Sequence, residues 1–469
     1  MFLNKKLFAY VIFLIFLLGL WVTNGKIPAS SMGDDVFFSE IAHSLLTNSK
    51  HAYRSIPEDN LLIHLRFFSP PIVNILQFFS FSAFGLTQFS MAFVKTLCLF
   101  IFILASLFYA IKKLYKVPTA IFFSISFFSI YPLTAYALKG RYENIYVLFL
   151  IVSFILCEVL IKNKKQEYVS FFLSGIFIGL SIVTYYPLFP LFFFFSLLLV
   201  FFLSKNNPTI LNLKLILSGQ MVIGFAFLIW IFPDYELFIK QNLIVAKGKY
   251  FSFDDLINNV FSYSLFSFCF ILFSSFFLWR YSFPNKDNSS KICFLMSILF
   301  SLNVFLSWFV NYAAFVFFLY GILNLRQYFL EKVFLVLSTF STIIMIILII
   351  KSFEKNRDYK IFSNQLNNNI NMSKIIITDK PSWLYLRSLV KPDKLFEIYL
   401  KIDGMYSYRS KILFDMSYVD KISSVIIDER HYNYYYTTYP VFKFLIDSKK
   451  CSSKQIGDRL PYKVTVYNC

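Results

Sequence analysis

Paired acids and an arginine–glutamate motif are the residues of this sequence best suited to carry chemistry. Asp34 and Asp35 stand side by side in "GDDVFFSEIAHSLL", shortly after a long apolar segment. Arg141 and Glu143 flank one tyrosine in "ALKGRYENIYVLFL", where another apolar segment begins. A carboxylate can act as a general base, and a guanidinium can bind an anion through two parallel hydrogen bonds. The two motifs therefore indicate acid–base chemistry beside an anionic group.

Two lysines add to the basic part of this set. Lys139 precedes Arg141 by two residues, and Lys95 falls inside an apolar run. A lysine in such a run either extends its ammonium group to the membrane surface or pairs with an anion. Each charge taken alone is open to the simpler interpretation of an interfacial anchor. One of the two acids is likewise open to the role of capping the amphipathic helix predicted after it.

The composition identifies the class of protein that positions these residues. Of 469 residues, 58% are hydrophobic and 63 are phenylalanine, and the mean hydropathy is +0.62. This exceeds what a soluble domain can bury, so we expect an integral membrane protein. The net charge of +19 does not indicate nucleic-acid binding, because the basic residues cluster in short loops between apolar runs.

Apolar runs of roughly membrane-crossing length predict an all-α polytopic fold with about eleven transmembrane helices. The first is interpreted as a retained helix, with cleavage as a signal peptide the alternative. The predicted spans are approximately 7–23, 89–111, 118–137, 144–161, 168–187, 189–204, 210–232, 259–279, 292–310, 312–325 and 333–351.

The loops predicted to be cytoplasmic are all basic, as the positive-inside rule requires. The opposite, extracytoplasmic side then receives 24–88, 138–143, 233–258 and the tail from 352. The paired acids, Arg141 and Glu143 would meet at this outer surface. Transporters more often place ionisable residues near the membrane midplane, so this depth favours an enzyme that joins a lipid-borne substrate to a water-borne one.

Two parts of the outer side have structure of their own. In loop 24–88, the segment after Asp35 and "PPIVNILQFFSFSAFG" predict helices at the membrane surface. The tail, 352–469, predicts a small extracytoplasmic α/β domain, with strands in "SKIIITDKPSWLYLRSL" and "ISSVIIDERH". The remainder, 1–351, is the transmembrane domain. In the tail, "HYNYYYTTY" suits either stacking on sugar rings or interfacial anchoring, the latter being preferred.

Cysteines and histidines indicate no metal site. His43, His51 and His64 match no metal-binding spacing, and we expect scattered surface histidines and no metal. Cys451 and Cys469 are the only cysteines of the tail. In an oxidising compartment they can form a disulfide, but two free thiols remain equally open.

These motifs, in this order, resemble the GT-C superfamily of membrane glycosyltransferases. The resembling branch includes protein O-mannosyltransferases and lipid A aminoarabinose transferases. The resemblance covers approximately residues 1–200 and consists of a first span, the acidic pair, a Pro-Pro segment with a later glycine, a basic residue in the second span and the Gly-Arg-x-Glu entrance. Three features depart from the family pattern: Ser69 replaces a histidine, Lys95 replaces an arginine, and "VNYAAFVFFLYG" replaces a late Tyr-and-Pro loop.

The resemblance implies inverting transfer of a sugar from a polyprenyl-phosphate donor to an acceptor hydroxyl of a glycolipid, glycan or protein. It makes Asp34 or Asp35 the base, Arg141, Lys95 and Lys139 the ligands of the donor phosphate, and Glu143 an orienting or acceptor-binding residue. No cofactor is expected. A flippase or exporter of lipid-linked sugars is the non-enzymatic alternative, and an oligosaccharide polymerase or ligase is the enzymatic one.

Overall fold

The structure is a computed structural model, and every structural statement below concerns the residues that it describes. These are 10, 13, 42, 45–46, 70–85, 88–114, 117–130, 143–161, 163–236, 238–239, 263–282, 288–302, 311–325, 330–352, 364–372, 374–378, 386, 395–397, 416–429, 432–448, 450–456 and 464–469.

Helices make up nearly all of the described chain up to residue 352. They are α1 (Pro71–Phe84), α2 (Gln88–Leu114), α3 (Val117–Ser126), α4 (Glu143–Val159), α5 (Lys164–Thr184), α6 (Phe189–Leu203), α7 (Thr209–Ile231), α8 (Tyr263–Ser282), α9 (Asn288–Leu302), α10 (Asn311–Asn324) and α11 (Leu330–Ser352). Within the described residues, three segments are long and apolar enough to cross a membrane: Phe93–Lys113, Lys164–Thr184 and Thr209–Ile231. The other apolar helices are shorter, so the number of spans stays a prediction.

Each predicted span from the second onward overlaps a described helix. Only Tyr10 and Phe13 of the first predicted span are described, and the Tyr10 hydroxyl lies 2.7 Å from the Ser124 hydroxyl of α3. The third predicted span is the one that differs: α3 ends at Ser126 in a short 3₁₀ turn, and residues 131–142 lie outside the described part.

Side-chain contacts at both ends show that α2 and α4 run parallel. Near the beginning of both helices, the Asn144 side chain donates to the carbonyl oxygen of Lys95. Near the end of both, Lys113 forms an ion pair with Glu158. The two helices were predicted to cross the membrane in the same direction, and the contacts agree.

Serine side chains join α4 to α5 in the opposite direction. Ser181 Oγ donates to the carbonyl of Tyr146 at 3.1 Å, and Ser174 Oγ donates to the carbonyl of Ser153 at 2.9 Å. The partner numbers fall along one helix as they rise along the other, so the two helices are antiparallel. In membranes, such hydrogen bonds and close packing hold helices together because lipid gives no hydrophobic drive between them.

Glycines allow α5 and α7 to approach closely. A Cβ added to Gly175 would lie 2.1 Å from the carbonyl oxygen of Ile216, and one added to Gly219 would lie 2.2 Å from that of Phe172. Gly179, one turn along from Gly175, faces the side chain of Ile223 in the same way. The small-xxx-small spacing of α5 is the sequence pattern typical of such contacts.

Helix α1 buries three polar side chains and exposes several of its large apolar ones. Asn74, Gln77 and Ser80 are buried, whereas Phe79 is 62% exposed and Ile75 is 46% exposed. The Gln77 and Ser80 side chains both donate to the carbonyl of Ser90, at 2.8 and 2.7 Å. Gly85 ends the helix with a φ of 70°, which an L side chain rarely adopts. This arrangement suits a helix whose outer face contacts lipid, as predicted for this segment.

A five-stranded mixed sheet forms the C-terminal domain. Its strands are β1 (Ile375–Thr378), β2 (Leu395–Glu397), β3 (Ile422–Asp428), β4 (Ser452–Ile456) and β5 (Val464–Asn468), in the order β2-β1-β3-β5-β4. β1 pairs in parallel with β2 and β3, and β5 is antiparallel to both β3 and β4. Two helices follow β3: α12 (Tyr432–Thr438) and α13 (Pro440–Asp447). The structure thus confirms the predicted α/β tail.

Buried residues of both helices pack on one face of this sheet. Val425 and Ile427 of β3 lie against Tyr435, Phe442 and Leu445. A disulfide joins Cys451, directly before β4, to Cys469, directly after β5. It therefore ties the last residue of the chain to the start of the edge hairpin.

Candidate active site

The residues predicted for the site are only partly within the described chain. Asp34, Asp35, Lys139 and Arg141 lie outside the described residues, as does most of the surface helix predicted after Asp35. Of that helix, Ala42, Leu45 and Leu46 are described and helical. The roles of all four charged residues therefore stay predictions.

Glu143 and Lys95 have defined positions. Glu143 is the first residue of α4, so the Arg-x-Glu motif immediately precedes and begins this helix. Lys95 lies near the beginning of α2, and only 1% of its surface is exposed. Burying an ammonium group is costly unless an anion or polar groups compensate its charge. In a membrane protein, such a buried cation is a functional-site candidate by default.

Asn144 links these two positions. Its Nδ2 group donates to the carbonyl oxygen of Lys95, and its side chain is buried. The carbonyl can accept this bond beside the intrahelical one because it has two lone pairs. Lys95 and the residue that follows Glu143 are thus in direct contact. We call this end of the helix bundle, where α4 begins and α5 ends, the entrance end.

Tyrosines fill the bundle beside the first turn of α4. The ring of Tyr146 lies 5.5 Å from that of Tyr185 and 6.3 Å from that of Tyr312, measured between centroids. Phe192, at the start of α6, lies 5.7 Å away. All four rings are buried. They place aromatic side chains, three of them with hydroxyl groups, at the entrance end.

Some of these residues were not identified from the sequence. Asn144 directly follows the Arg-x-Glu motif, and this adjacency is the only signal that marks it. Tyr312 stands in "VNYAAFVFFLYG", the segment noted for departing from the family pattern. Tyr146 and Tyr185 lie in apolar runs rich in aromatic residues, where the sequence does not distinguish them from ordinary core residues.

Two of the tail tyrosines have a structural role that the sequence did not predict. Tyr435 and Tyr439 of "HYNYYYTTY" are buried in the core of the C-terminal domain. Tyr432 is half-buried, and its ring stacks on those of Tyr436 and Tyr467 at centroid distances of 5.9 and 6.4 Å. The period of the helix explains why Tyr435 and Tyr439 are both buried, because every fourth residue returns to the face that packs on the sheet.

Two tyrosine hydroxyls of this domain have raised pKa values. Burial, followed by the nearby Tyr432 and Glu429, raises the pKa of Tyr467 to about 12. A hydrogen bond of 2.6 Å to Asp447 raises the pKa of Tyr436. Both phenols therefore remain protonated at neutral pH and act as structural groups. Within the described residues, no three His, Cys, Asp or Glu side chains are grouped as metal ligands would be.

Solved structures resemble the chain where sequence comparison gives no match. No family model and no curated protein sequence matches it. The crystal structure of ArnT from Cupriavidus metallidurans bound to undecaprenyl phosphate covers 98% of both chains, with a TM-score of 0.60 and 11% identity. The apo structure of the same protein covers 99% of both, with a TM-score of 0.62 and 11% identity.

ArnT is a GT-C aminoarabinose transferase. At 11% identity, the likeness establishes the fold and nothing finer. It extends over the whole chain the resemblance that the sequence motifs indicated for its first part. The chain therefore has a GT-C-like fold: a mostly helical integral membrane protein with a small C-terminal sheet domain.

Proposed function

We propose that the protein is a membrane glycosyltransferase that moves a sugar from a polyprenyl-phosphate donor to an acceptor hydroxyl on the extracytoplasmic face. The observation that carries this proposal is the fold-wide likeness to ArnT, one of whose structures holds undecaprenyl phosphate. The buried Lys95 at the entrance end, in contact with the residue after the Arg-x-Glu motif, supports it independently. A buried cation suits a phosphate group as its partner.

The reaction needs one base and a stabilised leaving group. The acceptor hydroxyl oxygen attacks the anomeric carbon from the face opposite the phosphate, so the configuration inverts. Its proton passes to a carboxylate, which we assign to Asp34. The bond from the anomeric carbon to the phosphate oxygen breaks, and the polyprenyl phosphate leaves with the electron pair. Arg141, with Lys95 and Lys139, stabilises the negative charge that develops on it.

The remaining acids have supporting roles in this proposal. Glu143 follows Arg141 by two residues and orients its guanidinium or contacts the acceptor. Asp35 caps the surface helix that follows it. The assignments of Asp34, Asp35, Lys139 and Arg141 rest on the sequence motifs and the resemblance, while those of Lys95 and Glu143 also have a place in the fold.

The division of the chain into two compact units supports an extracytoplasmic location for the segments predicted to lie on the outer side. Contacts separate it into two compact units, of which one comprises 1–21, 95–233 and 251–349. The other comprises 22–94, 234–250 and 350–469. The second unit closely matches the long segments that the basic loops predict to lie on the outer side. We propose that this unit faces the extracytoplasmic compartment.

A transfer assay with the purified protein tests the proposed function. The protein is incubated in detergent with polyprenyl-phosphate sugars that carry a radiolabel on the sugar, together with glycolipid, glycan and protein acceptors. Labelled acceptor and free polyprenyl phosphate are the expected products. The same donors in proteoliposomes distinguish transport: movement of intact donor across the bilayer without cleavage would contradict the transferase and favour a flippase.

A further inference from the structure

We infer that Asn144 is a positioning residue that holds Lys95 in a defined position relative to the first turn of α4, which Glu143 begins. Through Lys95 it sets the site for the donor phosphate. The inference rests on the proposed function, because it assigns a further residue to the same site.

The contact acts on the backbone of Lys95 itself. The Asn144 amide donates to the carbonyl oxygen of Lys95 from a neighbouring, parallel helix. A bond to this carbonyl restrains the position of α2 at the lysine, and therefore the point from which its side chain starts. Asn144 follows Glu143 in the first turn of α4. One side chain thus joins the helix that holds Lys95 to the helix that begins at Glu143.

The environment of Asn144 argues against a role in packing alone. Its side chain is 2% exposed, and within the described residues Oδ1 has no hydrogen-bond partner. A buried carbonyl oxygen without a partner destabilises a fold, whereas a leucine of similar size would fill the same space without this cost. The asparagine therefore carries a cost in stability that its bond to Lys95, and the site that this bond orders, can explain.

Another interhelical hydrogen bond to the first turn of α4 offers a matched control. Ser181 Oγ donates to the carbonyl of Tyr146 at 3.1 Å, also between two helices and also buried. Ser181 further bonds to the carbonyl of Phe177 in its own helix at 3.1 Å. It joins α5 to α4 at the entrance end but is not bonded to the backbone of Lys95. Ser181→Ala removes a buried interhelical hydrogen bond without touching the proposed link.

The test measures binding of undecaprenyl phosphate to the full-length protein in detergent. Undecaprenol, which lacks the phosphate, gives the blank. We expect Asn144→Leu to weaken phosphate-dependent binding by about tenfold or more, the scale of loss when a preorganised site loses its supporting contact. Asn144→Gln, which keeps the amide, should recover part of the affinity. Ser181→Ala should bind within about twofold of the wild type, although both Asn144→Leu and Ser181→Ala alter the thermal midpoint.

Each outcome decides one of the two proposals. Wild-type affinity in Asn144→Leu would overturn the positioning role and leave the proposed function standing. An equal loss in Ser181→Ala would overturn it as well, because general loosening of the bundle would then explain the effect. A folded wild type that does not bind undecaprenyl phosphate would overturn the proposed function itself. If Asn144→Leu does not fold, Asn144→Ala replaces it, since alanine cannot donate to the Lys95 carbonyl and adds no charge, and unchanged affinity would again overturn the inference.

Discussion

We do not expect Asp34 and Asp35 to have the same role in the proposed site. Neighbouring residues of a helix point about 100° apart, so we expect one of Asp34 and Asp35 to face the substrate and the other to cap the predicted helix. We expect Asp34→Asn to abolish transfer, because it removes the base. Asp35→Asn should retain most of the transfer and the stability, because asparagine caps a helix about as well as aspartate, whereas Asp35→Ala should lower stability by about 1 kcal/mol. Transfer of labelled sugar and thermal unfolding measure the two effects, and equal, mild losses at both positions would contradict the assignment.

At the level of single residues, the sequence identified charged candidates for the site more readily than the neutral residues that contact them. Lys95 was identifiable because a lysine in an apolar run is rare and costly. Asn144 was not, because its importance depends on which carbonyl it reaches, and only the packing of α4 against α2 determines that. Ser181, which joins α5 to the carbonyl of Tyr146, was not identified from the sequence for the same reason. Residue types and their spacing therefore predict which charged residues belong to a site. The neutral residues that hold them in place are determined by tertiary contacts.

Tyr467 should make the C-terminal domain sensitive to alkali. Its pKa is about 12 in the folded chain, above the ordinary value of 10.0. The unfolded chain therefore releases this proton first as pH rises, and stability falls between about pH 10 and pH 12. Below pH 10 the contribution of Tyr467 is fully present. Hydrogen exchange of peptides from β5 in the full-length protein, measured across this range, should show the loss of protection.

Tyr467→Phe provides the control, because it keeps the ring and removes the ionisable group. The variant should show a smaller fall in protection over the same pH range. Tyr436 also has a raised pKa, so part of the decline should persist until Tyr436→Phe is added. An unchanged pH profile in the double variant would show that neither hydroxyl is responsible.

At the level of the helices, close packing of α5 on α7 should tolerate no added side chain at its glycines. Gly175→Ala would place a methyl group 2.1 Å from the carbonyl oxygen of Ile216, so the two helices must separate. Overpacking of this kind typically costs about 1–3 kcal/mol. Gly224→Ala makes the same chemical change in α7, where a Cβ meets nothing within 4 Å. Thermal unfolding in detergent should show a lower midpoint for the first variant and an equal or higher one for the second, and equal midpoints would contradict the packing argument.

The sequence predicted elements well where hydrophobicity alone determines them. The apolar runs gave the positions of the membrane helices, and "IIIT" and "SSVIID" gave the buried strands β1 and β3. The edge strand β4 was missed because Ser452–Ile456 is almost wholly polar and exposed. It is a strand because it pairs with β5, and this pairing leaves no hydrophobic alternation within β4 itself. The burial of Gln77 and Ser80 in α1 likewise depends on their hydrogen bonds to the carbonyl of Ser90.

For the whole molecule, one test addresses the predicted topology directly. Cys451 and Cys469 form a disulfide in the structure, and disulfides persist in oxidising compartments but rarely in the cytosol. An extracytoplasmic tail therefore predicts that both thiols resist alkylation in intact cells until a reductant is added. The bridge closes a loop with a sequence separation of 18, which corresponds to about 3 kcal/mol on the loop-entropy estimate. Mass spectrometry of the alkylated tail gives the state of each cysteine.

Variants of the two cysteines separate the effect of the bridge from that of the compartment. Cys451→Ser and Cys469→Ser should each lower the stability of the tail domain by the same amount as the double variant, because either one opens the same loop. Cys293→Ser is the control, since this buried thiol is not bridged. Full alkylation of both tail cysteines without reductant would show that the bridge is absent, and alkylation by a membrane-permeant reagent but not by an impermeant one would place the tail in the cytoplasm. That result would reverse the orientation of the helices, move the Arg141 motif to the opposite surface and contradict transfer on the extracytoplasmic face.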